Sequence, residues 1–364
     1  MPESTSGTAL LQVRGLTKQF ALKGTDKTVQ ACNDVTLDVF PGDTLGLVGE
    51  SGSGKTTLGR CMLRLIEPTS GTVVFAAQDM SQASKKQLRA LRRDLRIVFQ
   101  EPMDSLNPRM TIGQAIAQPL KIHTDLSSRQ RAKRVRELLT LVGVPADLSN
   151  LKPRELSAGV AQRCSIARAI ATDPKLIVLD EPTSALAPEA EAELIVLLRE
   201  LQARLGVAYV FISHNLALVG EICNRVAVMY LSQVVEIGSL DQVFANPQHP
   251  YTRALLAATL RPDPGQRLDE DARWERLGGE IPSPIDLPQG CYLSGRCLFA
   301  TDRCRSEAQS LQESPTGSLV RCWRAVEGID AAAVADARAT SLAAIHERRD
   351  ALAGAELAVP PEAS

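Results

Sequence analysis

The strongest constraint on this chain is a junction near its start. The apolar run Thr44-Leu-Gly-Leu-Val48 leads into Gly49-Glu50-Ser51-Gly52-Ser53-Gly54-Lys55-Thr56, and helical apolar spacing follows from Thr57 to Ile66, ahead of Pro68. The stretch fits G-x-x-x-x-G-K-[ST] and lies between a buried strand and a helix, the context a phosphate-cradling loop requires. Glycines let backbone N–H groups converge on phosphate oxygens, and the helix N-terminus adds a favourable dipole. Lys55 is placed to reach β and γ phosphates, and the Thr56 hydroxyl to ligate Mg²⁺. Gly49, Ser51, Gly52, Ser53, Gly54 and Thr57 complete the expected binding loop. A plain glycine-rich turn is the bland alternative; a chance match in a chain this long is on the order of 1% from average residue frequencies.

A second element strengthens the reading. Leu176-Ile-Val-Leu-Asp180-Glu181 is an apolar strand ending in two carboxylates. Asp180 is suited to hold Mg²⁺ and Glu181 to polarise an attacking water. Alone this is weak, because many buried strands end in acids. Gln100 follows the apolar Ile97-Val-Phe, His214 follows Phe211-Ile-Ser213, and Phe20 lies ahead of the loop. Taken singly they read as a surface polar residue, a strand-end histidine and a core aromatic.

The wider pattern alternates strands and helices. Val35-Thr-Leu-Asp-Val39 alternates and is followed by the turn pair Pro41-Gly42. Residues 82–96 are basic at helical spacing, with Leu88, Leu91 and Leu95 between, and read as a solvated helix face. Arg96–Gln100 reads as a strand, 111–170 as mostly helical, and Glu189–Leu205 as a long helix. Val207–Ile212 is β-rich, and 225–230 with 233–237 resembles a hairpin. This is an α/β pattern with a mainly parallel sheet. The polar, proline-bearing stretch 261–276 reads as a linker, and the alanine-rich sequence from about 327 as a tail.

Composition narrows the partners. The 364 residues suit two or three domains. A net charge of −1 and only 4% aromatics argue against nucleic acid. No apolar run is long enough to span a membrane. The first residues lack the basic start and apolar stretch of a secretory signal, so a cytosolic chain is expected.

The eight cysteines fall into two groups. Cys32, Cys61, Cys164 and Cys223 are scattered and read as buried small hydrophobes. Cys291, Cys297, Cys304 and Cys322 share one C-terminal segment, spaced C-x₅-C-x₆-C-x₁₇-C. In a reducing compartment that clustering suggests a metal site over disulfides. The paired C-x₂₋₄-C knuckles of structural zinc are absent, and the wider spacing is compatible with an iron–sulfur cluster. Cluster, zinc and no metal all stay open.

Leu156-Ser157-Ala158-Gly159-Val160, followed by Ala161-Gln-Arg-Cys-Ser-Ile-Ala-Arg-Ala-Ile170, resembles the signature and signature helix of ABC transporter ATP-binding subunits, whose usual form is LSGGQ. Three further stretches are similar to oligopeptide/dipeptide importer ATPases, a family that includes nickel and glutathione importers. They are Phe99–Met110, Asn246–Leu256, and Gly279–Pro284 leading into Gly290-Cys291. The resemblance runs over roughly 8–326.

The resemblance implies an ABC cassette over 1–240: a RecA-like core, an antiparallel β edge and a helical subdomain at about 101–170. It implies a four-cysteine C-terminal module over 241–326, associated in the family with a 4Fe–4S cluster, and a tail over 327–364. Phe20 would stack on adenine, Gln100 would bind Mg²⁺ and water, and His214 would contact the γ-phosphate. Two subunits would close around two ATPs, with Ser157 and Gly159 of each facing the loop of the other. Implied partners are two transmembrane permease subunits docking at 101–120, a second ABC ATPase and, indirectly, an extracytoplasmic binding protein. The place implied is the cytoplasmic face of the inner membrane. A soluble non-transport ABC ATPase or a regulatory cassette is the alternative.

The chain departs from the family pattern at four positions. Ala158 and Val160 replace a glycine and a glutamine of the signature, Ala187 stands where the D-loop has aspartate, and Asn215 follows the switch histidine where aspartate is common. A Cβ at 158 obstructs close approach of backbone to phosphate. The signature and D-loop changes serve the opposite ATP, whereas Lys55, Thr56, Gln100, Asp180, Glu181 and His214 are intact. A heterodimer with one weakened site is the expectation; tolerated substitution is the alternative.

Overall fold

The computed structural model describes residues 7–259, 277, 280–297 and 299–327. The expected linker at 261–276 and all but the first residue of the expected tail lie outside them. The described chain divides into two compact units, each discontinuous in sequence.

The first unit comprises 7–18, 32–45 and 55–213. Its antiparallel part draws on β1 (Leu11–Ala21), β2 (Thr28–Val39), β4 (Ser70–Phe75) and β5 (Gln78–Asp79), in the order β2-β1-β4-β5. Leu11 faces Phe75 and Val13 faces Val73 across the β1–β4 pair, all four buried, so alternation sets the register. The parallel part holds β6 (Leu95–Val98), β7 (Leu176–Asp180) and β8 (Ala208–Ile212), with Leu95 beside Leu176 and Asp180 beside Ile212. Every residue of β7 and β8 is buried, as expected of parallel strands covered on both faces. The strand β3 (Thr44–Val48) contributes Thr44 and Leu45 here.

Helices of this unit are α1 (Lys55–Met62), α2 (Lys85–Leu91), α3 (Pro102–Ser105), α4 (Ile112–His123), α5 (Ser128–Leu141), α6 (Ala158–Ile170) and α7 (Pro188–Leu205). Gly59 lets α1 lie close on the sheet: a Cβ there would stand 2.9 Å from Ile212 Cδ1 and 3.1 Å from Val178 Cγ1. Thr111 and Ser127 close capping boxes with Gln114 and Gln130, which fixes where α4 and α5 begin. Helix α7 buries Leu194, Ile195, Leu197, Leu198 and Leu201 along one stripe and ends at Gly206 with φ 64°.

Two boundaries differ from the sequence expectation. Helix α1 stops at Met62 rather than Ile66. The basic stretch 82–96 is helical only over Lys85–Leu91, a helix with no buried residue, and gives way to β6. Arg96 lies inside that strand, where its guanidinium donates to Thr172 Oγ1 at 2.9 and 3.2 Å. The stretch 101–120, expected to open the helical subdomain, holds α3 and most of α4.

The second unit comprises 19–31, 46–54 and the described residues from 214 onward. It contains α8 (Leu216–Ile222), β9 (Arg225–Tyr230), β10 (Gln233–Ser239), α9 (Leu240–Ala245), α10 (Pro250–Thr259), α11 (Asp302–Ser306), β11 (Gln312–Glu313), β12 (Leu319–Val320) and α12 (Trp323–Glu327). The expected hairpin is present: β9 and β10 pair antiparallel through Leu231 and Ser232, both with positive φ. β12 adds to β10, and β11 to β12. Glu236 of β10 is fully buried, and its carboxylate accepts the N–H groups of Gln248 at 2.8 Å and His249 at 2.9 Å.

Candidate nucleotide-binding site

In the first unit the C-terminal end of β7 and the start of α1 come together. The Thr56 hydroxyl donates to Asp180 Oδ1 at 2.8 Å. Asp180 is 1% exposed, and burial pushes its carboxyl above the usual range, against the opposing pull of Thr56, Arg60 and Lys55. Arg60 Nη2 stands 3.7 Å from Asp180 Oδ2. A buried carboxylate paired with a hydroxyl is an all-oxygen donor set, which fits Mg²⁺. Lys55, at the first position of α1, is itself buried.

Glu181 follows with φ 45°, and this left-handed residue turns the chain out of the strand. Its N–H donates to the Ile212 carbonyl at 3.0 Å, while Gln100 Nε2 donates to Glu181 Oε2 at 3.2 Å. Four residues singled out from sequence are thus joined in two pairs, Thr56–Asp180 and Gln100–Glu181.

Ser157 caps α6, its hydroxyl accepting from Val160 N at 3.4 Å; Ala158 and Gly159 form the first turn, half-buried. Sequence reasoning missed Gln162 and Arg60. Gln162 is buried on α6 and donates to the Pro182 carbonyl at 2.8 Å, tying the signature helix to the residue after Glu181. It sits in the quoted signature helix, but only the fold shows what it reaches. Ala187 occupies the N-cap position of α7 with no side-chain cap.

In the second unit the loop 49–54 needs its glycines. A Cβ on Gly49 would stand 2.1 Å from the Met229 carbonyl oxygen, and one on Gly54 2.0 Å from that of Ala31. The loop is pinned by Ser53 N–H to Glu50 O at 3.2 Å and Ser232 N–H to Ser53 O at 3.0 Å. Ser51 and Gly52 are exposed, and Ser53 is buried. Phe20 is 39% exposed rather than a core aromatic. His214 is exposed, and Asn215 caps α8 by accepting from Ala217 N at 3.0 Å, a job aspartate would also do.

Cys32, Cys61, Cys164 and Cys223 are buried, as expected. Cys291, Cys297, Cys304 and Cys322 line one cavity with His249 and Trp323, of about 20 Å³. That is room for about one water. Among the described residues no group of three or more His, Cys, Asp or Glu is placed to hold a metal ion, so the expected iron–sulfur ligation finds no support.

The chain is 45% identical over 319 residues to a putative peptide import ATP-binding protein of Brucella ovis, covering 87% of this chain and 98% of that one. A model of the ABC transporter family matches residues 32–184. The chain belongs to the ABC transporter family. As an ABC cassette it hydrolyses ATP, with Mg²⁺ as the metal. A second family model, of the oligopeptide/dipeptide transporter C-terminal region, matches 235–304 of this ABC chain. The oligopeptide transport ATP-binding protein OppF of Escherichia coli K12 is 42% identical over 313 residues, covering 84% of this chain and 93% of OppF. Among solved structures, the ATP-binding cassette MJ0796, a dimer bound to ADP and Pi, matches with TM-score 0.59 at 28% identity. It covers 63% of this chain and 98% of that one. No helix among the described residues of this ABC chain is long and apolar enough to cross a membrane.

Proposed function

We propose that this chain is the ATP-hydrolysing, energy-coupling subunit of an importer for di- or oligopeptides. The observation that carries the reading is the match to peptide-import subunits, which runs through both the cassette and the C-terminal region. In this reading Gly49, Ser51, Gly52, Ser53, Gly54 and Thr57 cradle the phosphates and Lys55 neutralises β and γ oxygens. Thr56, Asp180 and Gln100 hold Mg²⁺. Glu181 polarises the water, His214 contacts the γ-phosphate and Phe20 stacks on adenine. The cassette occupies 1–240, with its helical part at about 101–170, and the C-terminal module 241–326.

The subunit works peripherally on the cytoplasmic face of the membrane, on two permease subunits and with a second ABC ATPase, fed by an extracytoplasmic binding protein. Ser157 and Gly159 serve the partner's ATP. Ala158, Val160 and Ala187 weaken that shared site, which makes the pair a heterodimer with one competent site. Pull-down from gently solubilised membranes, with peptide-stimulated ATPase assay of the recovered complex, tests the importer reading; recovery with ribosomal or repair proteins would overturn it. Glu181→Gln compared with the matching change in the partner tests the asymmetry. Equal losses of ATPase activity would sink it.

Cys291, Cys297, Cys304 and Cys322 are proposed as thiolates of a 4Fe–4S cluster; what supports this is that all four line the same cavity, which would have to widen to admit the cluster. Each iron takes one thiolate, so the four sulfurs need not meet at one point. Iron and acid-labile sulfide in anaerobically purified protein test this; absence of both removes it.

A further inference from the structure

We infer that Tyr251 and Arg296 are positioning residues for the phosphate loop, acting through Glu50, so that the C-terminal region sets the affinity for ATP. The inference rests on the ATPase reading above and adds the residues that hold its loop. Glu50 is the second residue of that loop. Its N–H donates to the Tyr251 hydroxyl at 3.0 Å, and its carboxylate lies 3.7 Å from Arg296 Nη1. Tyr251 is 1% exposed, at the start of α10, with its ring centroid 4.6 Å from that of Tyr230. Arg296 Nη1 also reaches the Tyr230 hydroxyl at 3.4 Å, and the guanidinium lies 5.8 Å from that ring's centroid. The side chain of Arg296 is 12% exposed.

Two physical consequences follow. A loop with glycine at 49, 52 and 54 is intrinsically mobile, and an anchored Glu50 amide leaves less ordering for the ligand to impose. The second consequence is electrostatic. Glu50 puts a negative charge in a loop built to bind phosphate, and Arg296 neutralises it. Removing Arg296 exposes the nucleotide to that charge; removing the Glu50 charge as well abolishes the repulsion.

Arg296 occupies the turn between Cys291 and Cys297, closed by Ser294 N–H to Cys291 O at 2.9 Å and Cys297 N–H to Leu293 O at 2.9 Å. The segment that brings these cysteines to their cavity is therefore the one that aims Arg296 at the loop.

The test is equilibrium binding of a fluorescent Mg-ATP analogue to the full chain. Tyr251→Phe keeps the ring and loses only the hydroxyl, and is expected to weaken binding by about threefold to tenfold, the range of one hydrogen bond. Arg296→Gln is expected to weaken binding similarly, by less at high salt. Glu50→Gln in the Arg296→Gln background is expected to restore it, a reversal that packing alone does not produce. Thermal melts show which variants keep the fold; should Tyr251→Phe fail there, the Arg296–Glu50 reversal decides. Wild-type binding with unchanged affinity in the variants, or no reversal, overturns this inference alone. Failure of the wild-type chain to bind Mg-ATP overturns the ATPase reading and this inference together.

Discussion

The Thr56 hydroxyl and the Asp180 carboxylate, 124 residues apart in sequence, meet at 2.8 Å at the head of α1. Asp180 is buried, so this bond offsets part of the desolvation of its charge. Thr56→Ala leaves the carboxylate without that donor. It is expected to destabilise the Mg²⁺-free chain by about 1.5–3 kcal/mol, the range for hydrogen bonds to charged groups. Urea unfolding checks this, and Mg²⁺-dependent nucleotide affinity should fall in the same variant.

Glu181→Gln should separate binding from chemistry. Gln100 donates to Glu181 Oε2 at 3.2 Å, and the amide oxygen of a glutamine can accept the same bond. Nucleotide binding is expected to survive while turnover falls by about 100-fold or more, the usual loss when a general base is removed. Single-turnover ATPase assays with parallel binding measurements would reveal an equal loss of both, which would contradict the role.

Ala187 begins α7 without a side-chain cap. Ala187→Asp supplies an acceptor for the first-turn N–H groups and is expected to stabilise the chain by about 0.5–2 kcal/mol. Unchanged denaturant midpoints would show that the new carboxylate does not reach them.

Glu236 gives a pH signature. It is fully buried, and its carboxyl is raised from 4.5 to about 7, first by burial, with the Gln248 and His249 N–H groups, Thr252 and Arg253 pulling the other way. A raised carboxyl pKa means that the folded state holds the proton more tightly than the unfolded one. Its stabilising contribution is therefore full below about 4.5 and is lost as pH rises to about 7. Comparing wild type with Glu236→Gln by urea titration, the wild-type advantage should shrink between those values. A difference that stays flat with pH would refute the assignment.

The site was legible where its chemistry is carried by neighbours in sequence. The loop from Gly49 to Thr56 could be read because its glycines, lysine and threonine must sit at fixed spacing between a strand and a helix. The fully apolar β7 ending in Asp180 and Glu181 was readable because a buried parallel strand leaves a continuous apolar run. The basic spacing at 82–96 overstated the helix, which covers only Lys85–Leu91, whereas the apolar run after Arg96 correctly marked a strand, in which Arg96 donates to Thr172. The four C-terminal cysteines were legible as a cluster in spacing, but not in the one small cavity they share.

Sequence by itself determined the α/β class, the phosphate loop, the carboxylate pair and the departures at Ala158 and Ala187, since each depends on residues within a few positions of one another. Only the tertiary structure decided which distant groups meet. Gln100 and Glu181 are 81 residues apart, and Glu50 and Tyr251 are 201. Such pairings follow from the path of the whole backbone and from which side chains that path buries. In the sequence Tyr251 is one residue of the importer-like stretch Asn246–Leu256; only folding places its hydroxyl against the Glu50 amide.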